Sequence, residues 1–198
     1  MIRTPEALIP YMLLCACVAG GVLWSLSAEH PAAVSELHLT QLGGPFHLTD
    51  QTGHARSDAE YRGRYVLLYF GYTNCPDVCP TTLTQMQDAL TRLGPKAKRI
   101  VPIFVTIDPA RDTPKALGAY LRAFGPQFVG LSGTPAQTAR IAKEYRVYYA
   151  KRPLEGGTYA MDHSGEVYLL GPDGQLVTFY DPPLDPAAWA RDLGARVE

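Results

Sequence analysis

Cys75 and Cys79, a cysteine pair with three residues between them, are the residues of this sequence best suited to chemistry. They lie between an apolar run and a segment with a helical pattern. Backbone N–H groups at the start of a helix stabilise thiolates. Pro76 and Pro80 donate no backbone N–H and restrict the backbone, which should hold both sulfurs in a defined relation. The pair can therefore converge on one metal ion, or form a disulfide if its Cα atoms approach within about 7 Å.

The segments around this pair predict the elements that must position it. Residues 65–70 are a continuous apolar run, which is typical of a central strand buried on both faces. A helical pattern follows the cysteines and ends at Gly94-Pro95, and residues 100–107 form a second buried strand. The other predicted elements are a hairpin at 46–55, helices starting at Asp112-Thr113-Pro114, Thr134-Pro135 and Asp185-Pro186, a strand at 128–131, an extended segment at 147–150, and a hairpin of 166–170 with 176–180.

This order of elements predicts an α/β, thioredoxin-like fold with an N-terminal hairpin extension, preceded by one transmembrane helix. The helix is predicted from residues 7–26, an uncharged stretch of about 20 residues, which is long enough to span a bilayer. Arg3 is the only basic residue before it and favours a cytoplasmic N-terminus. A cleaved signal peptide, or a lipoprotein signal ending at Cys17, stays open as an alternative.

Composition limits the domain organisation and the class of function. A length of 198 residues, 46% of them hydrophobic and 19% charged, fits one globular domain plus a short appendage. A formal net charge of -1 gives no indication of a nucleic-acid partner. The four cysteines form two pairs that are close in sequence, so we do not expect a framework of structural disulfides to hold a core of this size together. We expect an anchor at 1–27, a tether at 28–44 and a folded domain at 45–198.

Three segments, in the same order along the chain, resemble the Sco/SenC family of copper proteins, which serve cytochrome c oxidase assembly. They are GYTNCPDVCPTTL at 71–83, VTIDPARDTP at 105–114 and MDHS at 161–164. The resemblance implies a copper-binding domain whose metal ligands are Cys75, Cys79 and His163. Many relatives carry histidine where this chain has Asn74, a position that is not a ligand in the family pattern. We expect that change to alter thiol reactivity or partner fit.

The ligand set that the resemblance implies is chemically suited to copper. Two thiolates and one imidazole suit Cu(I) and accommodate Cu(II). Three protein ligands leave the site open for metal transfer, whereas structural zinc normally takes four. The remaining histidines are expected to be ordinary polar residues, because His30 and His38 fall in the tether and His47 and His54 fit the first hairpin.

Four carboxylates near these motifs have candidate roles. Asp108 and Asp112 suit a strand-end turn and a helix cap, and the alternative is a role in shaping the copper loop. Asp77, between the cysteines, could tune the charge of the site or face a partner. Asp162 could orient His163, since ligating imidazoles commonly donate their second N–H to a carboxylate or a carbonyl.

The resemblance implies a metallochaperone that delivers copper to the binuclear copper site of a membrane cytochrome oxidase. Such a protein delivers a metal during assembly and does not turn over a substrate. Reduction of the target cysteines would be an accessory activity. The expected partners are the copper-site subunit of the oxidase, the membrane, and a periplasmic thiol reductant or another copper carrier. The N-terminus lacks an Arg/Ser-rich transit segment, which favours a bacterial inner membrane with the domain in the periplasm.

Two alternative functions use the same fold. A thiol–disulfide oxidoreductase typically has two residues between its cysteines and a cis-proline facing them, whereas this chain has three residues and no proline in 161–164. A thiol peroxidase would carry proline and threonine where Leu68 and Tyr72 stand. Both differences favour copper transfer.

Overall fold

The structure is a computed structural model that describes residues 42–198. Residues 1–41, which include the predicted anchor and most of the predicted tether, lie outside the described residues. Among residues 42–198, no helix has the length and apolar character needed to cross a membrane.

The described residues form a mixed α/β fold of the thioredoxin-like type. Its strands are β1 His47–Asp50, β2 Ala55–Ser57, β3 Tyr65–Gly71, β4 Ile100–Thr106, β5 Val129–Ser132, β6 Tyr149–Pro153, β7 Tyr159–His163, β8 Val167–Leu170 and β9 Leu176–Tyr180. Its α-helices are α1 Val78–Leu93, α2 Pro114–Leu121, α3 Pro135–Glu144 and α4 Pro186–Arg196.

A seven-stranded sheet in the order β2-β1-β5-β4-β3-β8-β9 forms the frame of the domain. The inner strand β3 pairs parallel with β4 and antiparallel with β8. Every residue of β3 and β4 is buried, which confirms the prediction from their continuous apolar runs. The cysteine segment therefore starts from a fully buried inner strand.

The predicted N-terminal hairpin is confirmed as β1 and β2, and β1 joins the sheet by pairing with β5. The helices also begin near the predicted capping residues. Thr134 and Asp185 accept backbone N–H bonds at the starts of α3 and α4. At α2 the cap is Thr113, whose hydroxyl accepts from the backbone N–H of Ala116, so the prediction of Asp112 as a helix cap is wrong.

Strands β6 and β7 form a separate two-stranded sheet. The sequence predicts an extended segment only at 147–150, whereas β6 runs to Pro153 and His163 is the last residue of a second strand, β7. The hairpin escapes prediction because Lys151, Arg152 and Pro153 of β6 are all exposed, so the strand shows no apolar alternation. The available signal is Gly156-Gly157, where both residues have a φ of 76° that favours glycine.

Candidate metal centre

The two cysteines lie between the end of β3 and the first turn of α1. Cys79 is fully buried and Cys75 is half-buried. Gly71 at the end of β3 allows this packing, because a Cβ added there would lie 2.8 Å from Cys79 Sγ and 2.7 Å from the Phe104 ring. The backbone N–H of Cys79 points to Cys75 Sγ at 3.4 Å. The helix start thus favours negative charge on Cys75, as predicted.

The fold brings His163 to this pair across 84 residues of chain. Its Nε2 lies 3.4 Å from Cys79 Sγ, and the ligand atoms of Cys75, Cys79 and His163 all lie within 4.8 Å of one another. Within residues 42–198 this is the only group of three or more His, Cys, Asp or Glu side chains arranged to hold a metal ion. The predicted ligand residues therefore converge on one point.

The imidazole of His163 has one nitrogen free for a metal. Its Nδ1 lies 2.6 Å from the carbonyl oxygen of Ser164, which can only accept, so Nδ1 carries the hydrogen. The Nε2 lone pair then faces the two sulfurs, the arrangement that metal-ligating histidines commonly use. The prediction that Asp162 orients His163 is wrong, because Asp162 instead pairs with Arg152 on the surface at 3.1 Å. Adjacent strand residues point to opposite faces, which separates the two side chains.

The two thiols differ in acidity. A hydrogen bond from the Cys79 thiol lowers the pKa of Cys75 to about 4, while burial opposes the shift. The pKa of Cys79 is raised by its hydrogen bond to Cys75 and by burial. At neutral pH the metal-free pair is thus a Cys75 thiolate beside a Cys79 thiol. A metal ion that binds both sulfurs releases the proton of Cys79.

Asp112 holds the loop that precedes Cys75. Its fully buried carboxylate accepts hydrogen bonds from the Thr73 backbone N–H at 3.0 Å, from the Thr73 hydroxyl at 2.6 Å and from the Thr106 hydroxyl at 2.6 Å. Thr106 is the last residue of β4, so Asp112 fastens the cysteine loop to the neighbouring strand. Of the two roles weighed for Asp112, these bonds match the shaping of the loop.

Asp108 lies on the side of the site that carries His163. Its buried carboxylate accepts from the Tyr159 hydroxyl at 2.9 Å and pairs with Arg111. The Arg111 guanidinium lies 3.8 Å from the centroid of the Tyr159 ring and donates to the Tyr159 carbonyl at 2.9 Å. Tyr159 starts β7, the strand that ends at His163, so these contacts hold the histidine hairpin. The sequence reasoning missed Arg111 and Tyr159; Arg111 lies inside the second motif, and Tyr159 carries no local signal.

The other candidate residues stay apart from the site. His47 lies in β1, and His54 Nδ1 lies 2.8 Å from the Thr52 hydroxyl in the first hairpin, as expected. His30 and His38 lie outside the described residues. Asp77 is exposed beside the cysteines, and Asn74 is exposed before them.

The whole described domain matches a known family, since residues 34–198 match SCO1/SenC. The chain belongs to the SCO1/SenC family. It is 40% identical over 159 residues to the mouse protein named SCO1 homolog, mitochondrial, a match that covers 79% of this chain and 56% of the mouse protein. The chain thus spans about half the length of such relatives.

Solved Sco structures share the fold. The copper-bound structure of ScoI from Bradyrhizobium japonicum is 43% identical, covers 79% of this chain and 99% of its own, and superposes with a TM-score of 0.74. BsSco, described as a member of the Sco family of cytochrome c oxidase assembly proteins with a disulfide switch, is 26% identical. That match covers 80% of this chain and 92% of BsSco, with a TM-score of 0.64.

Proposed function

We propose that this chain is a copper metallochaperone that acts in the assembly of a cytochrome oxidase. The observation that carries the proposal is the convergence of Cys75 Sγ, Cys79 Sγ and His163 Nε2 within 4.8 Å. Two soft sulfurs and one imidazole nitrogen suit Cu(I), and with three protein ligands the site also accommodates Cu(II). A Sco relative of 43% identity binds copper, which supports the same cargo here.

The position of the site at the surface supports transfer of the metal. Cys75 is half-buried, and two exposed apolar residues flank the cluster. Val78 precedes Cys79 and is 49% exposed; Tyr148 is 64% exposed and is hydrogen-bonded to Ser164, the residue after His163. A partner that docks on this rim can offer its own ligands to a three-coordinate ion, so that copper passes by ligand exchange.

We also propose a target for the copper and a location for the chain. The recipient is the binuclear copper site of a membrane oxidase, and the chain acts in the periplasm from an anchor in the bacterial inner membrane. A tether of this kind raises the effective concentration of the domain at a membrane-bound partner. The uncharged stretch at 7–26 supports this part of the proposal, together with the BsSco relative from the oxidase assembly family.

Titration of the full-length chain in detergent with Cu(I), in competition with a chromophoric chelator, tests the cargo. We expect one copper per chain, with weaker binding after Cys75→Ala, Cys79→Ala or His163→Ala. His54→Ala is the matched control, because it removes a histidine of the first hairpin that is not part of the cluster and should leave the affinity unchanged. Unchanged binding in His163→Ala would contradict the three-ligand site. Copper-loaded chain mixed with the metal-free copper domain of an oxidase subunit should generate the spectrum of the binuclear site.

A second function, reduction of the target's disulfide, is favoured by the unequal acidity of the two cysteines. The Cys75 thiolate would attack one target sulfur and release the other as a thiol, and Cys79 would then displace the second target sulfur. Two electrons pass to the target, and the chain is left with a Cys75–Cys79 disulfide. Release of target thiols by the metal-free chain, lost in Cys75→Ala, measures this activity. Disulfide turnover without any copper binding would replace the chaperone proposal.

A further inference from the structure

Two buried hydroxyls beneath Cys79 have no hydrogen-bond partner among the described residues. They belong to Tyr69 and Thr82, which are 0% and 1% exposed. A buried hydroxyl left unpaired costs about 1–3 kcal/mol. Two such groups side by side therefore indicate a partner that exists in another state of the protein.

The backbone places both hydroxyls against the sulfur of Cys79. Tyr69 and Gly71 lie two residues apart in β3 and share a face of the sheet, and Gly71 lies directly against Cys79 Sγ. Thr82 lies three residues after Cys79 in α1, on the same helix face. The Tyr69 hydroxyl neighbours both the Thr82 hydroxyl and the Cys79 sulfur, and the Tyr69 ring packs edge-on to His163 with centroids 6.5 Å apart.

Cys79 Sγ is the atom near these hydroxyls whose capacity to accept hydrogen bonds changes when a metal binds. A thiol is a weak acceptor, whereas a sulfur that has lost its proton to a bound metal accepts hydrogen bonds strongly. The Tyr69 phenol is fully buried and carries the hydrogen that it would donate. Thr82 can donate to the Tyr69 oxygen in turn, and a chain of hydrogen bonds strengthens each member.

We propose that, when copper is bound, Tyr69 donates a hydrogen bond to Cys79 Sγ, with Thr82 donating to Tyr69, and that this relay favours Cu(I) over Cu(II). The inference rests on the proposed function, since copper must bind first. A hydrogen bond withdraws electron density from the sulfur, and Cu(II) depends more than Cu(I) on strong donation from its ligands. Hydrogen bonds around a ligating sulfur set redox potentials in other metal sites for this reason. Tyr69 is thus a positioning and tuning residue that does not itself bind copper.

Tyr69→Phe in the full-length chain tests this directly, because it removes one hydroxyl and keeps the ring. We expect the ratio of Cu(I) to Cu(II) affinity to fall about tenfold, equal to a midpoint potential about 59 mV lower for this one-electron couple. The sulfur-to-Cu(II) charge-transfer band should move to lower energy. Thr82→Val should shift both quantities in the same direction by a smaller amount. Tyr145→Phe is the matched control, because Tyr145 is equally buried but packs on Phe70, whose side chain is on the other sheet face.

The outcomes separate this inference from the proposed function. A wild-type chain that binds no copper contradicts the function. A wild-type chain that binds copper, with an unchanged potential and band in Tyr69→Phe, overturns the relay alone. Equal shifts in Tyr69→Phe and Tyr145→Phe would also overturn it, as a general effect of a changed core. Should Tyr69→Phe fail to fold, Thr82→Val decides the question by the same two measurements.

Discussion

The cysteine side and the histidine side of the candidate metal centre are built differently. Cys79 is fully buried against β3, an inner strand of the main sheet, and Asp112 ties the preceding loop to β4 through three hydrogen bonds. His163 ends β7 in a separate two-stranded sheet whose partner strand, β6, is largely exposed. Side-chain contacts from Asp108 and Arg111 to Tyr159 join that hairpin to the domain.

This difference indicates how the site works. The sulfurs are held by the core of the domain, and hydrogen-bonded backbone in a packed core opens only by large-scale unfolding. The hairpin buries few apolar side chains, so it can open while the core stays folded. For the proposed copper transfer, this difference predicts release from the histidine side, with His163 leaving first and the two thiolates holding the ion until the partner's ligands replace them.

Removal of a thiolate should have the largest effect. Cys79→Ala is expected to lower Cu(I) affinity by well over a hundredfold, because losing even a group outside the ligand set commonly costs about 10–100-fold. His163→Ala should lower the affinity by a smaller factor, since the two thiolates remain. Competition titration measures both. Equal losses in the two variants would contradict the division between a cysteine side that holds the metal and a histidine side that releases it.

Asp112→Ala should loosen the loop that precedes Cys75 and so weaken the cysteine side of the site. It removes the buried acceptor of the Thr73 N–H and of the Thr73 and Thr106 hydroxyls, so we expect about 3 kcal/mol less stability and roughly tenfold weaker copper binding. Urea unfolding and copper titration give the two values. Asp50→Ala is the control, since Asp50 is also buried and accepts several hydrogen bonds, but in the first hairpin. It should lose stability without losing copper affinity; a matching loss of affinity would mean that Asp112 acts only through global stability.

The sequence predicted the two sides of the site unequally, and their construction explains why. The cysteine side follows from local signals: an apolar run at 65–70, a cysteine pair and the helical pattern that follows it. The ligand role of His163 came through a family resemblance, because no local pattern links residues 84 positions apart. The sequence offers Asp162 as the residue that orients His163, whereas the Ser164 carbonyl does so, since every residue has a carbonyl and composition cannot single one out. The contacts between Asp112 and Thr73 are likewise not predictable from local sequence, because they form only when the fold brings two loops together.

Tyr159→Phe should weaken the histidine side with little effect on the fold. It removes the hydrogen bond to Asp108 and keeps the ring beneath Arg111, so about 1 kcal/mol of hairpin stability is lost. Copper affinity should fall about fivefold, the ratio that such a free-energy change allows. Hydrogen exchange should quicken at 149–163 and stay unchanged in β3. Quickened exchange in both regions would show that the hairpin opens together with the core.

The smallest expected effect is on the metal-free site, and it is measured as the pH dependence of Cys75 alkylation. Because the pKa of Cys75 is lowered to about 4, its alkylation by iodoacetamide should be nearly constant between about pH 5 and pH 8 and should fall as the pH drops through 4. An ordinary thiol, with a pKa of about 8.5, would instead slow about tenfold for each unit below that value. Cys79→Ala removes the largest cause of the shift and should move the profile further toward an ordinary thiol than His163→Ala does. The reverse order would mean that the histidine hairpin, rather than the buried thiol, controls the acidity of Cys75.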